Sequence, residues 1–203
     1  MEEDQMEDAQ IASKKLEILR RAYDSFYDGG FHATGIDAVM ADTGISKRTL
    51  YKYFNSKEDL IEAVLGYYQT RISEDLFQAV KVVGGDPRDQ ILTFFDIREQ
   101  LITSRPLRGC LGIKASQEYI GKHEGIAASG QAIAEFVEGN FVRLCREAGF
   151  EKAETLGKEI TILFQGAILL AQVYGSPSPL ETAKAAAIAL MNNADPKRQR
   201  TAS

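Results

Sequence analysis

Lys47, Arg48, Lys52 and Lys57 are the side chains in this sequence best spaced for chemistry, within "GISKRTLYKYFNSKEDL" (44–60). No acid stands between Lys47 and Lys57, and Tyr51, Tyr53 and Phe54 are interleaved with the cations. That pattern suits recognition of a polyanion. Each Lys or Arg that meets a nucleic-acid phosphate releases a condensed counterion, and an Arg fork can pair with a guanine edge. The pattern is local. The 203-residue chain holds 24 Lys and Arg against 29 Asp and Glu, a formal net charge of -5 and a pI near 5.2. Residues 11–72 carry nine basic and eight acidic side chains, an excess of one. Positive charge is placed rather than abundant, and the acidic remainder suppresses loose binding to polyanions.

Other chemistries find little support. His32 and His123 lie far apart in sequence with no ligand-spaced partner, so no metal site is expected. No GxGxxG, P-loop, GxSxG or HExxH occurs. No catalytic residue or cofactor is assigned, and the chain does not read as an enzyme. Two cysteines, Cys110 and Cys145, are too few for a disulfide-stapled secreted domain. They read as small buried side chains in a reducing cytoplasm, or as a redox pair. No run of about 18 apolar residues is present, so no membrane span is expected. "MEEDQMEDAQ" has neither the basic start nor the apolar stretch of a signal peptide, and residues 1–10 read as an acidic disordered tail. Residues 195–203 read as a second disordered tail, whose Lys197, Arg198 and Arg200 are either solvated or touch phosphate.

The elements that must position the basic segment are helices. Leu16, Leu19, Ala22, Tyr23 and Phe26 share one face of a first helix, which Gly29-Gly30 stops. Ile36, Val39 and Met40 mark a second, short helix, and Thr43-Gly44 a turn. Ser46 can cap a third helix. Asn55-Ser56 ends it, and Ser56 with Asp59 resembles a capping box opening a long fourth helix, about 57–82. In that helix Leu60, Val64, Tyr67, Tyr68, Ile72, Leu76 and Phe77 fall mostly in step. After Gly84-Gly85-Asp86-Pro87, five more helices are expected near 87–103, 110–120, 125–148, 152–174 and 179–193. The last starts with Ser178 as cap, Pro179 at the first position and Glu181 at the third. No window alternates with a period of two, so the fold class is all-α, about nine helices.

On a wheel of about 100° per residue, Lys47, Arg48, Tyr51 and Lys52 fall on one side of the third helix. Thr49, Leu50, Tyr53 and Phe54 fall on the other, so Leu50 and Phe54 dock inward. Two short helices joined by "DTGIS" form a helix-turn-helix, whose second helix fits the major groove. Lys47, Arg48, Thr49, Tyr51 and Lys52 are then candidates for base edges. Tyr51 can cover a thymine methyl or bind phosphate, and Lys57 adds its charge to the positive start of a helix. Tyr53 either donates to a phosphate or is a core tyrosine with a wet tip. Thr34 either donates to a phosphate or caps the second helix. Read in isolation, the basic face would be a solvated one; the preceding helix and turn favour DNA.

"GGFHATGIDAVMADTGISKRTLYKYFNSKEDLIEAVL" closely resembles the DNA-binding domain of the TetR/AcrR transcriptional regulators, over about residues 11–65. Its most specific piece is Gly44-Ile45-Ser46-Lys47, Thr49-Leu50-Tyr51, Tyr53-Phe54 and Ser56-Lys57-Glu58. The resemblance implies an all-α homodimer on double-stranded DNA. It implies a helix-turn-helix domain at 11–56, a connecting helix at 57–82, and an effector-binding and dimerisation domain at 83–194. By motif position, Thr34, Thr49, Tyr51, Tyr53 and Lys57 inherit DNA contacts, and Lys47, Arg48 and Lys52 set sequence choice. Gly35 departs from the family's usual Thr or Ser, and Asp42 places an acid near the turn. "RPLRGCLGIKASQEY" looks like a stretch found in some members and names no ligand. The implied function is a cytoplasmic repressor released from a palindromic operator by a small molecule. The effector would favour a dimer whose two recognition helices no longer match grooves about 34 Å apart, with the fourth helix transmitting the change. An activator of the same fold is the alternative, and a helical binding or adaptor protein without DNA a more distant one.

In the second half, Leu156, Ile160, Leu163, Ala167, Leu170 and Tyr174 repeat at helical spacing, as do Leu180, Ala183, Ala187, Leu190 and Met191. Such stripes are core or interface; a twofold four-helix interface would cover them. The interface set is then Leu156, Ile160, Leu163, Ala167, Leu170, Tyr174, Ala183, Ala187 and Leu190, with Gly166, Ala167 and Ala171 permitting close approach. Phe94, Phe95, Leu101, Phe136, Phe141 and Phe164 are core or line an effector pocket. Such a pocket needs a few polar groups, for which Glu99, Cys110, Lys114, Gln117 and Gln165 are the candidates beside Phe95 and Phe136.

Overall fold

The computed structural model describes residues 2–41, 43–104 and 108–194, with side chains over 12–41, 43–101 and 108–194. Among these the chain is helical without strands. The order is α1 (Glu2–Gly29), α2 (Ile36–Met40), α3 (Lys47–Tyr53) and α4 (Lys57–Ile72), then a π-helical turn (Ser73–Gln78) and α5 (Ala79–Val83). After these come α6 (Pro87–Ser104), α7 (Leu111–Tyr119), α8 (Glu124–Glu147), α9 (Ala153–Tyr174) and α10 (Ser178–Asn193). Since α4, the π turn and α5 form one continuous run, the described residues make nine helical rods. Asp42 and the 195–203 tail, with Lys197, Arg198 and Arg200, lie outside the described residues. So does 105–107 of the "RPLRGCLGIKASQEY" stretch.

Contacts divide the chain into two compact units, 1–70 with 111–131 and 71–110 with 132–203. The expected break near residue 83 is therefore misplaced, and α7 belongs with the first unit. The reason lies at the end of α1, whose last carbonyls have no partner within the helix. Lys114 Nζ on α7 donates to Tyr27 O at 2.9 Å. The Glu118 carboxylate accepts from the backbone N–H of Phe31 (3.3 Å) and His32 (2.9 Å). The Tyr119 ring stacks on His32, 4.6 Å between centroids. A helix distant in sequence thus caps α1 and fixes the loop after it.

In the first unit, α1 begins at Glu2, inside the stretch expected as a disordered tail. Glu, Gln, Met and Ala are good helix formers, and early acids complement the helix dipole. The inner face of α1 is Ile18, Ala22 and Phe26, all fully buried, while Leu16 is turned outward. Val39, Met40, Leu50 and Phe54 are buried as expected, and Leu60, Ile61, Val64 and Leu65 give α4 a broader buried face than one stripe.

The second unit is built on Phe94, Phe95, Phe141 and Phe164, whose rings meet mostly edge-on, 5.0–6.5 Å between centroids. There α9 approaches α8 closely at Gly157, not at Gly166: a Cβ on Gly157 would lie 2.6 Å from Val142 Cα, whereas Gly166 faces open space. Five residues of the expected dimer stripe are core instead. Leu156, Ile160, Ala167, Ala183 and Ala187 are buried within the chain's own unit, with Leu163 and Leu190 packed against them. Because α9 is apolar on nearly every side, spacing alone does not select its inner face. Only Leu170 and Tyr174 of the set are exposed, beside Ile162, Leu169 and Val173. By length and hydropathy α9 could cross a membrane, which the sequence reading did not expect; 44% of its most apolar window is buried in the fold. At the start of α10 the cap position is Pro177, not Ser178, and carries no side-chain cap bond; Ser176 Oγ, one residue earlier, accepts from Ser178 N at 3.3 Å.

Candidate functional site

The turn between α2 and α3 is held by its own side chains. Thr43 Oγ1 donates to Met40 O (2.8 Å) and accepts from Ile45 N (3.0 Å), and Gly44 takes φ +67°, a left-handed conformation that favours glycine. Ser46 caps α3 by accepting from Thr49 N at 3.1 Å, and its hydroxyl also bonds Thr49 Oγ1 at 2.9 Å. These local bonds start a seven-residue helix too short to persist unaided. Leu50, fully buried, and Phe54 then pin it from behind. Lys15 Nζ lies 5.7 Å from the Phe54 ring centroid, placing another cation beside this segment.

With that side fixed, Lys47, Arg48, Tyr51 and Lys52 face solvent, Tyr51 with 48% of its surface exposed. Thr49 and Tyr53 are half-buried at the edge of the face. Lys47 pairs with Asp37 of α2 at 2.6 Å, a partner sequence reading missed because the pair crosses the turn. Arg48, Lys52 and Lys57 have no ion pair among the described residues. Lys57 opens α4, whose start is organised by Ser56 and Asp59. Ser56 Oγ accepts from Asp59 N (3.0 Å), and Asp59 Oδ2 accepts from Asn55 N (3.1 Å) and Asn55 Nδ2 (2.9 Å). This is a capping box displaced by one residue. The bond from the Asn55 side chain, then that from Ser56, holds the Asp59 carboxyl below its ordinary pKa.

Thr34 does not join this face. It is buried, and its hydroxyl donates back to Ser25 O on α1 at 3.2 Å. Nor does it cap α2, whose cap position is Gly35 with no side-chain bond. Nothing in the sequence shows that the loop folds back against α1, which is what occupies this hydroxyl.

Neither of the two pockets found among the described residues gathers the expected effector residues. Lys114 and Gln117 belong to the first unit, where Lys114 caps α1 and Gln117 is exposed. Phe95 is sealed among Phe141 and Phe164. Glu99 and Cys110 are half-buried. Gln165 is half-buried too, with its Oε1 enclosed and without a hydrogen-bond partner. Cys110 and Cys145 are both free thiols. Burial pushes the Cys145 thiol up to about 11, which makes it inert near neutrality. Phe136 alone of the set lines a cavity of about 640 Å³, walled by the π turn, α5, α6 and α8. A second, apolar groove of about 410 Å³ runs along α9 and α10 past Ile162, Leu170, Tyr174 and Pro179.

Residues 18–64 match the family model described as bacterial regulatory proteins, tetR family. Over 169 residues the chain is 31% identical to the uncharacterized HTH-type transcriptional regulator YxaF of Bacillus subtilis, covering 80% of this chain and 87% of that one. It is 27% identical to the HTH-type transcriptional repressor NemR of Escherichia coli, covering 77% and 82%. In structure it resembles SCO4454, a TetR-family transcriptional regulator from Streptomyces coelicolor. The TM-score is 0.81 at 22% identity, over 88% of this chain and 94% of that one.

Proposed function

The chain belongs to the TetR family of ligand-responsive, DNA-binding bacterial regulators, and from that premise we propose that it is a cytoplasmic homodimeric repressor released from a palindromic operator by a small molecule. Its role is transcriptional regulation and not catalysis. The observation that carries the reading is α3, clamped from behind by Leu50 and Phe54 while Lys47, Arg48, Tyr51 and Lys52 face solvent. Arg48 and Lys52, with Lys47 freed from Asp37, read base edges. Tyr51 contacts a thymine methyl or phosphate, and Thr49, Tyr53 and Lys57 hold the backbone. Thr34 acts behind them by fixing the loop to α1.

The repressor assignment draws support from the similarity to NemR, named a repressor. Two uninterrupted helical stretches join the units in the chain: α4 with its π turn, divided at Thr70/Arg71, and α8, divided at Gln131/Ala132. Binding in the second unit can therefore bias the first through continuous backbone, provided the ligand prefers one state. The test is selection of bound sequences from a random DNA pool, followed by gel shifts across a salt series. A twofold-symmetric site whose affinity falls steeply with salt is expected. A site lacking twofold symmetry would refute the dimeric operator, and salt-independent binding would refute phosphate contact. A reporter driven from the selected site separates repression from activation.

A further inference from the structure

The 640 Å³ cavity of the second unit lies within the range of small-molecule sites, and its lining is differentiated. Phe77, Phe94 and Phe136 form its apolar wall. The rings of Phe77 and Phe94, and of Phe77 and Phe136, meet edge-on at 4.9 Å between centroids. Phe77 and Phe136 remain only half-buried. Two amides are already oriented: Asn140 Nδ2 donates to Phe136 O (2.8 Å) and Gln90 Nε2 to Gly85 O (3.2 Å). Each amide keeps its carbonyl oxygen as an acceptor. Arg143 Nη1 donates to both Glu147 oxygens at 2.8 Å, so that pair is self-neutralised. Lys81 has no carboxylate partner among the described residues. The lining's charge is therefore two cations minus one anion, a net +1, in a chain of net -5.

The π turn points to the same place. Ser73 and Gln78 both line the cavity, yet five residues apart they would stand about 140° apart on an α-helix. The wider π turn brings them toward one wall. Such turns are rare and recur at functional sites.

We propose that this cavity is the effector site and takes an amphipathic organic anion, its apolar body against Phe77, Phe94 and Phe136 and its acid group at Lys81. The proposal rests on the regulator reading for the word effector, while the binding chemistry stands on the cavity alone. It is tested on the full chain by fluorescence titration with two probes that share a ring system. One is 8-anilinonaphthalene-1-sulfonate, an anion; the other is the uncharged N-phenyl-1-naphthylamine. Lys81→Gln, at an exposed position, is expected to weaken the anion about three- to fivefold and leave the neutral probe unchanged. Phe136→Ala weakens both on the order of tenfold, with helical content checked by circular dichroism. Lys158→Gln, which removes an exposed cation that does not line the cavity, alters neither. An anion affinity untouched by Lys81→Gln overturns the proposal, as does an equal loss of the anion in Lys158→Gln. Gel shifts on the same samples keep the two readings apart. Absent DNA binding with an intact Lys81 effect refutes the regulator, and the converse refutes the site.

Discussion

Ile162 and Ile160 stand two residues apart on α9 and should respond in opposite ways to substitution. Ile160 is fully buried among the chain's own helices, whereas Ile162 leaves 72% of its surface in solvent beside Val173 (69%) and Tyr174 (64%). If this outer face is the twofold interface, each Ile162 has most of a side chain's burial still to gain. Full burial of an isoleucine is worth about 1.5–3 kcal/mol, so each subunit gains about 1–2 kcal/mol and the symmetric pair about 2–4 kcal/mol. Ile162→Glu forfeits that and forces two carboxylates out of water, at several kcal/mol each unless they escape. A loss of at least about 4 kcal/mol raises the dimer dissociation constant roughly a thousandfold. Sedimentation equilibrium over a concentration series measures it directly. The monomer should keep its helical circular dichroism, because Ile162 lies mostly outside its own chain's core. Ile160→Ala should instead cost about 2–5 kcal/mol of folding stability and leave the folded fraction dimeric. An Ile162→Glu protein that stays dimeric with wild-type affinity refutes the assignment of this face.

The remaining expectations concern the reading helix and two packing points. Tyr51→Ala lowers affinity for the selected operator on the order of tenfold with thermal stability unchanged. Lys57→Ala reduces the salt slope of binding by about 0.9; both are read by gel shift, and wild-type behaviour in both removes the contact assignment. Gly157→Ala destabilises the second unit by about 1–3 kcal/mol in urea melts, because its Cβ would meet Val142 backbone at 2.6 Å and 2.7 Å. Asp59→Asn lowers the melting temperature at pH 7. The native carboxyl is depressed below its ordinary 3.8, so its contribution is present above that value and lost as pH falls through the native pKa. The gap between wild type and variant should therefore close below about pH 3.8, and a gap constant with pH contradicts the cap.

What was legible in the sequence was what local chemistry decides. Ser46 caps α3, Gly44 makes the turn, and Leu50 with Phe54 sets the buried side, all within a dozen residues. The fate of Thr34 and of α7 was not legible. Thr34 donates to Ser25, nine residues back, and Lys114 to Tyr27, eighty-seven residues away, through backbone carbonyls that carry no residue signature. The inner face of α9 was hidden for a different reason: an apolar helix offers several equivalent stripes, and only the aromatic cluster of Phe94, Phe141 and Phe164 selects one. The π turn leaves no periodic trace, since Leu76 and Phe77 satisfy an α-helical reading as well.

The Lys47–Asp37 pair bears on how an acidic protein keeps a DNA-reading face selective. Both partners are largely exposed, so the pair is worth about 0–1 kcal/mol. That is too little to hold Lys47 against a phosphate or a base edge that also releases a counterion. Asp37 therefore does not silence the face. It orients Lys47 across the turn while no DNA is present, and it makes a contact that displaces it pay back only a small loss. Among the described residues Arg48, Lys52 and Lys57 have no such partner, whereas Lys47 must first give up its pair, a small loss that a well-placed operator acceptor covers and a poorly placed one on random DNA covers less fully. Replacing Asp37 with Asn should then strengthen binding to random DNA more than binding to the operator, narrowing the ratio between the two. An unchanged ratio in competition gel shifts would show that the pair contributes nothing to discrimination.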